Sequence, residues 1–301
     1  MSTPAITAGQ QLRAYLMLSG TALCWGANTI FGRLAVGEAS PMAVVTFRWL
    51  GVVILIALFA NRYVRRDWPN LKGRLVFIFA MGALGFAMFN GMFYVAAHYT
   101  TALNMGILQG SIPVFVLIGG FIVFRAGVTR LQMIGVAVTI VGVVTVATGG
   151  KLGQLAGLGV GLGDGLMILA CMLYAGYTVG LRKRPAASAM GLFTLFAAAA
   201  FIASLPMVAI EAALGHFQMP TAKGWAVIGM VTLFPSFLAQ IFFMNGVEAI
   251  GPGRAGVFVN LVPVFSAILA VAILGEPFQL FHAAALTLVL GGIYLSERGK
   301  A

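Results

Sequence analysis

Acidic side chains are nearly missing from this chain of 301 residues: there are seven, Glu38, Asp67, Asp164, Glu211, Glu248, Glu276 and Glu297. All seven fall between long apolar runs or at their ends, so none is expected at the middle of a bilayer. Charge of either sign is scarce, at 8% of residues against 61% hydrophobic, and so little polar surface cannot cover a soluble domain of this length. Cysteine is limited to Cys24 and Cys171, both inside apolar stretches, which excludes a disulfide framework and a CxxC metal site. Three scattered histidines and no HExxH pattern leave an intramembrane hydrolase without an aligned base or metal ligands. The chain is read as a non-enzyme with no cofactor and no metal. Its formal charge of +11 does not point to nucleic acid, because the basic residues cluster between apolar segments and do not interleave with aromatics on one face. The polar stretch Met1 to Arg13 leads into an apolar run too long for a signal-peptide core, so the first helix is expected to be retained.

What the chain has in abundance is long apolar runs. Ten can be marked off, each near the roughly 20 residues needed to cross about 30 Å of hydrocarbon: 14–35, 41–60, 75–97, 101–123, 131–149, 163–181, 188–210, 223–246, 253–274 and 279–296. Pro41 and Pro277 suit helix starts, and Pro69, Pro185 and Pro220 suit loops. Barrel strands would be alternating segments of about ten residues, which these runs do not resemble. The fold class is therefore an all-α polytopic membrane protein.

The sequence also repeats itself. Ile112, Pro113, Val114 and Phe115 return as Val262, Pro263, Val264 and Phe265, 150 residues on, and at the same offset Phe93 faces Phe243, Gly106 faces Gly256, Ile118 faces Ile268 and Gly142 faces Gly292. The halves are taken as 1–150 and 151–301, joined by the run Gly149, Gly150, Gly153, Gly157, Gly159, Gly161 and Gly163. Of 18 Lys and Arg residues, 14 (Arg13, the Arg62 to Arg74 loop, Arg125, Arg130, Arg182 to Arg184, Arg254, Arg298 and Lys300) fall on one side of the ten spans, which places both termini in the cytoplasm. Five spans per half is an odd number, so the second half enters the membrane upside down. Inverted repeats of this kind are a transporter signature, with the binding site between them at mid-membrane.

Trp25, Gly26, Asn28, Arg48 and the Pro113 segment, with Gly256, Val257, Asn260, Pro263, Gly275, Glu276, Pro277, Gly291 and Gly292 in the second half, resemble the drug/metabolite transporter superfamily, and within it the ten-helix EamA-type exporters. The likeness covers nearly the whole chain, and among described members it is most similar to the YddG-type amino-acid exporters. It implies ten transmembrane helices as two inverted five-helix repeats around a central cavity, and residence in the bacterial inner membrane. The first half departs from the pattern where Arg125 and Ala126 stand at the places of Gly275 and Glu276. Small cation/proton antiporters of the superfamily use a glutamate embedded in the first helix, and Tyr15 to Ala35 has none.

Polar groups inside hydrocarbon line cavities or join helices. Phe86, Asn90, Tyr94 and His98 form a stripe at fourfold spacing, matched by Ser236, Gln240 and Met244. Asn90 and Gln240 are thereby expected as two pseudo-symmetric amides that can hold a zwitterion or, equally, bond across helices. Trp25 and Asn28 match Tyr174 and Tyr177 as aromatic and polar faces for a ligand. Asn104, Ser111 and Asn260 are divided between lining and helix contact. Arg48, deep in the second run, can grip a carboxylate bidentately or satisfy backbone carbonyls at a helix break. Pro113 and Pro263 are expected to kink their helices and act as hinges. His98 alone could carry protons near neutral pH. The expectation is a monomer that needs only the bilayer and a small-molecule substrate, exporting neutral or aromatic amino acids as a passive or weakly proton-linked carrier. The alternatives are a lipophilic-drug exporter and a non-transporting scaffold or sensor.

Overall fold

The computed structural model describes residues 7–57, 60–151 and 161–299, and they are helical without a strand. The chain runs through α1 (Ala8–Ala35), α2 (Pro41–Ala57), α3 (Asn61–Leu71), α4 (Leu75–Gly82), α5 (Phe89–Ala96), α6 (Ala102–Gln109), α7 (Ile112–Phe124), α8 (Arg130–Ala147), α9 (Leu162–Gly180), α10 (Ala189–Ala213), α11 (Ala222–Val231), α12 (Ala239–Ile250), α13 (Pro252–Val259), α14 (Val262–Leu274) and α15 (Leu280–Arg298). Among the described residues eight continuous helical stretches are long and apolar enough to cross a membrane, and Pro41–Ala57 is a shorter apolar helix. A count of ten spans also requires α1, which spends its first turns on Gln10, Gln11 and Arg13. Gly153, Gly157 and Gly159 of the joining run, and Lys300, lie outside the described residues.

The departures from regular helix recur at the 150-residue spacing. A π-helical turn, Ala83–Met88, joins α4 to α5, and another, Thr232–Leu238, joins α11 to α12. Such turns insert an extra residue into the helical ladder and re-aim the side chains beyond it. The stripe of sequence spacing is cut short accordingly: Phe86, Asn90 and Tyr94 are buried, whereas His98 lies past the helix end in an exposed turn. At Gly110–Ser111 and at Asn260–Leu261 the chain stops one helix and starts the next, with Pro113 and Pro263 in the first turn of the new helix. The expected kinks are thus complete interruptions. A proline lacks the N–H that would continue the ladder, and its ring clashes with the carbonyl four residues back.

Two further expectations are corrected. The Arg62 to Arg74 loop is helical, with Pro69 inside α3; its sequence carries too many charges to show an apolar period, but Leu71 is buried and Asp67 accepts from the Ser188 N–H at 2.7 Å, which fixes the start of α10. Pro277 does not start a helix but lies in the connection before the Gln279 cap of α15. Arg125 takes a left-handed conformation (φ 50°), as does Gly275 (φ 66°), at the matching helix ends; the sequence difference there is accommodated with the same backbone turn.

Where helices come closest, glycine makes it possible. A Cβ on Gly292 would lie 2.5 Å from the Gly135 carbonyl oxygen, so α8 and α15 pack backbone to backbone, the membrane solution to a missing hydrophobic driving force.

The α1–α2 connection is tied to the start of α11. Glu38 Oε2 accepts from the Thr221 hydroxyl at 2.5 Å, Oε1 from Lys223 at 3.1 Å, and the Glu38 carbonyl from the Thr221 N–H at 2.9 Å. The Thr221 hydroxyl, and then Lys223, hold the Glu38 carboxyl below its usual range. A depressed carboxylate pKa contributes stability above the unfolded value and loses it as pH falls through the folded value. Protection of the Thr221 and Gly224 amides, taken relative to the intrinsic exchange rate at each pH, is therefore expected to be high at neutral pH and to fall as the medium is acidified below the ordinary glutamate range, and Glu38→Gln should remove that dependence.

Candidate functional site

At the middle of the bundle the two π turns and the two helix breaks surround one cavity, with about 100 Å³ open to the centre of a water-sized molecule. Its wall includes Trp25, Asn28, Arg48, Phe86, Asn90, Tyr174, Gln240 and Asn260, with Pro113 and Pro263 at the breaks. The structure thus brings together eight of the twelve residues expected to bind substrate. The other four lie elsewhere. Tyr94 is behind the wall, where its hydroxyl donates to Asn28 Oδ1 at 3.1 Å. Tyr177 packs on Phe86 at 5.2 Å between ring centroids. Ser111 donates to the Leu108 carbonyl at the helix break. Asn104 is nearer the helix end, bonded to Asp164 at 3.3 Å and to His282 at 3.2 Å.

Arg48 organises the polar side of the cavity. Its Nε donates to Ser236 Oγ at 2.6 Å, and Nη1 is shared among Asn90 Oδ1 at 2.6 Å, the Tyr94 hydroxyl at 2.7 Å and Asn28 Oδ1 at 3.3 Å. These acceptors are side chains and all are neutral, so the guanidinium neither satisfies backbone carbonyls nor offers a free two-nitrogen fork. The two amides of sequence symmetry have parted roles. Asn90 accepts from Arg48 and donates to the Phe86 carbonyl at 2.6 Å, a carbonyl whose helix ladder the π turn disturbs. Gln240 lines the cavity with no partner for its amide among the described residues. Gln240→Ala is accordingly expected to change substrate range with thermal stability unaltered. Asn90→Ala should lower transport, because it loosens Arg48, and lower the melting temperature by no more than a few degrees, through the lost bond to the Phe86 carbonyl. Unchanged flux and range in the double variant would show that this cavity is not the binding site.

Sequence reasoning missed Trp49, Phe89, Gln109 and Pro235, which also line the cavity. Trp49 stacks on Phe86 with centroids 4.8 Å apart and planes at 3°, and Phe89 leans on Tyr174 at 5.1 Å. The π turn, which no spacing rule contains, aims Phe86 and Phe89 at those partners. Pro235 inside the second π turn was the available signal, because a proline there has no N–H for the carbonyl one turn before it: the Ser236 hydroxyl donates to the Val231 oxygen, and Trp25 Nε1 donates to the Pro235 oxygen at 3.1 Å.

The two ends of the cavity differ. Towards Glu276, α6 packs on both α1 and α14. Thr29 Oγ1 and Ser266 Oγ are 2.6 Å apart, a Cβ on Gly106 would lie 2.1 Å from Ser266 Oγ, and a Cβ on Gly26 would lie 2.9 Å from the Ser266 nitrogen. Glu276 caps α6, accepting from Ala102 N–H at 2.9 Å and Leu103 N–H at 2.8 Å, and Arg33 donates to the Ala97 carbonyl. This end is sealed. At the arginine-rich end the corresponding α7 and α13 make no extended packing with each other, and a Cβ on Gly256, the mate of Gly106, would meet nothing within 4 Å. This end is parted.

A model of the EamA-like transporter family matches the chain twice, over residues 12–148 and 161–298. The uncharacterized transporter YetK of Bacillus subtilis is 27% identical over 95% of this chain and 87% of its own length. The uncharacterized inner membrane transporter YedA of Escherichia coli is 24% identical over 92% of this chain and 88% of its own. A solved crystal structure superposes with a TM-score of 0.62 over 94% of this chain and 95% of that one, at 16% identity, and so shares the fold.

Proposed function

The chain belongs to the EamA-like transporter family, and on that premise we propose that it exports small amphipathic metabolites, neutral and aromatic amino acids foremost, from the cytoplasm through the central cavity. The observation that carries this reading is the cavity itself, sealed at one end and parted at the other between sequence-related helix breaks. Two five-helix repeats of opposite orientation, 1–150 and 151–301, account for that asymmetry: one state seals α6 against α14, and its mirror image would seal α13 against α7. Alternating access is then an exchange of the two packings, with the breaks at Pro113 and Pro263 as hinges. The positive-inside distribution puts the arginine-rich, parted end and both termini in the cytoplasm of a bacterial inner membrane, so the conformation described faces inward.

The carrier is read as a monomer that works as a facilitator or with weak proton linkage. His98 sits at the sealed end, where partial burial and then Arg33 hold its pKa below the usual histidine value, leaving it neutral at pH 7. Lipophilic drugs would suit the aromatic walls equally well, but they make no use of a buried arginine, which favours a cargo with a carboxylate.

Efflux of a labelled metabolite mixture from liposomes holding the purified protein, compared with protein-free liposomes and repeated under a pH gradient, tests the proposal. Release of a defined set of small metabolites regardless of the gradient is expected. Strict dependence on the gradient would replace the facilitator with a coupled carrier, and no release of any metabolite would end the transport assignment of this cavity.

A further inference from the structure

Hydrogen-bond donors outnumber acceptors where Arg48 meets the cavity. Arg48 is buried, at 5% exposure, and no acidic residue lines the cavity with it. With Nε and Nη1 engaged, Nη2 carries two N–H groups that no atom of the described residues accepts, and it is not among the fully buried unpartnered atoms, so it keeps contact with the cavity space. Beside it, Trp49 Nε1 is buried with no acceptor, while the Trp49 ring lies 5.4 Å from the guanidinium carbon and the Tyr94 ring 5.9 Å. Ring faces and neutral oxygens offset only part of the cost of taking a guanidinium out of water. The amides of Gln240 and Asn260 give as much as they accept. What the wall lacks is a negative charge.

We propose that the preferred cargo is a monoanion: a small carboxylate with an apolar, aromatic-sized body, whose oxygen accepts from Arg48 Nη2. This inference rests on the transport reading above and, among the small amphipathic metabolites it names, puts monocarboxylates ahead of the amino acids. A zwitterion brings the same carboxylate, but its ammonium adds three donors and a second cation to a wall already short of acceptors. A free amine should be the poorest ligand, since it meets Arg48 with like charge. The aromatic faces of Trp25, Trp49, Phe86, Phe89 and Tyr174 suit a ring in all cases and so do not decide among charge types.

Four probes of one shape separate the charge from the body: phenylpropionate, phenylalanine, phenylpropanamide and phenethylamine. Binding to the purified full-length protein in detergent is read by intrinsic tryptophan fluorescence, since Trp25 and Trp49 line the cavity, and by thermal stabilisation. Phenylpropionate is expected to bind roughly tenfold tighter than phenylalanine, with phenethylamine weakest, as an unopposed cation implies. Gln240→Glu, at a side chain with no partner among the described residues, places a carboxylate in the wall and should move the preference roughly tenfold towards the amine-bearing probes. Phenylalanine binding as tightly as phenylpropionate, an order that Gln240→Glu leaves untouched, or no binding by any of the four would each overturn the inference. The first two of these leave the transport reading standing, because that reading fails only if the liposomes release nothing.

Discussion

Valine at Gly106 and valine at Gly256 should drive the protein in opposite directions. Gly106 sits where α6 crosses α14, and its added side chain would collide with Ser266. Overpacking of this kind costs about 1–3 kcal/mol, and here the cost falls on the sealed state alone, which corresponds to roughly a fivefold to 150-fold shift towards the state open at the Glu276 end. Gly256 occupies the same place in the other half and has open space today. Valine there is expected to leave the described conformation intact, with an unchanged melting temperature, and to obstruct the mirror-image closure. Both variants should therefore lose turnover. Labelling of Thr29→Cys by a membrane-impermeant thiol reagent distinguishes them, rising with Gly106→Val and falling with Gly256→Val. Equal labelling in the two would mean that the helix breaks do not exchange packings.

Arg48→Met is the second large effect. Its four partners are neutral and three of them border a cavity that water can enter, so losing the guanidinium strands no opposite charge, and the melting temperature should move by only a few degrees, roughly the effect of 1 kcal/mol. Efflux, in contrast, should fall about tenfold to a hundredfold, because a hydrogen bond to a charged group contributes about 1.5–3 kcal/mol. Arg48→Lys keeps the charge but cannot reach Ser236 and Asn90 together; intermediate efflux is expected. A variant that melts normally and transports normally with methionine at position 48 would remove the arginine from the mechanism.

The 150-residue echo was readable because proline and glycine leave the same mark wherever they occur: Pro113 and Pro263, Gly106 and Gly256 are matched in sequence and matched in place. The cavity followed from it, since mid-membrane polar residues have few places to go, and Trp25, Asn28, Arg48 and Gln240 meet there. The π turns were not readable. Nothing in Ala83 to Met88 differs in composition from an ordinary apolar helix, and the shift introduced there re-aims the residues beyond it, among them Phe89 at the wall and Tyr94 behind it. Asn104 was ambiguous for another reason: its partners Asp164 and His282 lie 60 and 178 residues away along the chain, a separation that no local pattern encodes. Helix α3 was hidden by its own charges, which resemble a loop until Leu71 and Asp67 are seen to anchor it.

Glu276 has a role beyond capping. It supplies both carboxylate oxygens to the first N–H groups of α6, where the helix dipole adds to the attraction, and the place that matches it in the first half is Ala126. The opposite closure would have to form without such a clasp. Two halves that echo each other in sequence thereby have unequal ends, and in the proposed carrier the idle form would be the one already clasped at the Glu276 end: an empty receptacle that waits open at its arginine-rich side.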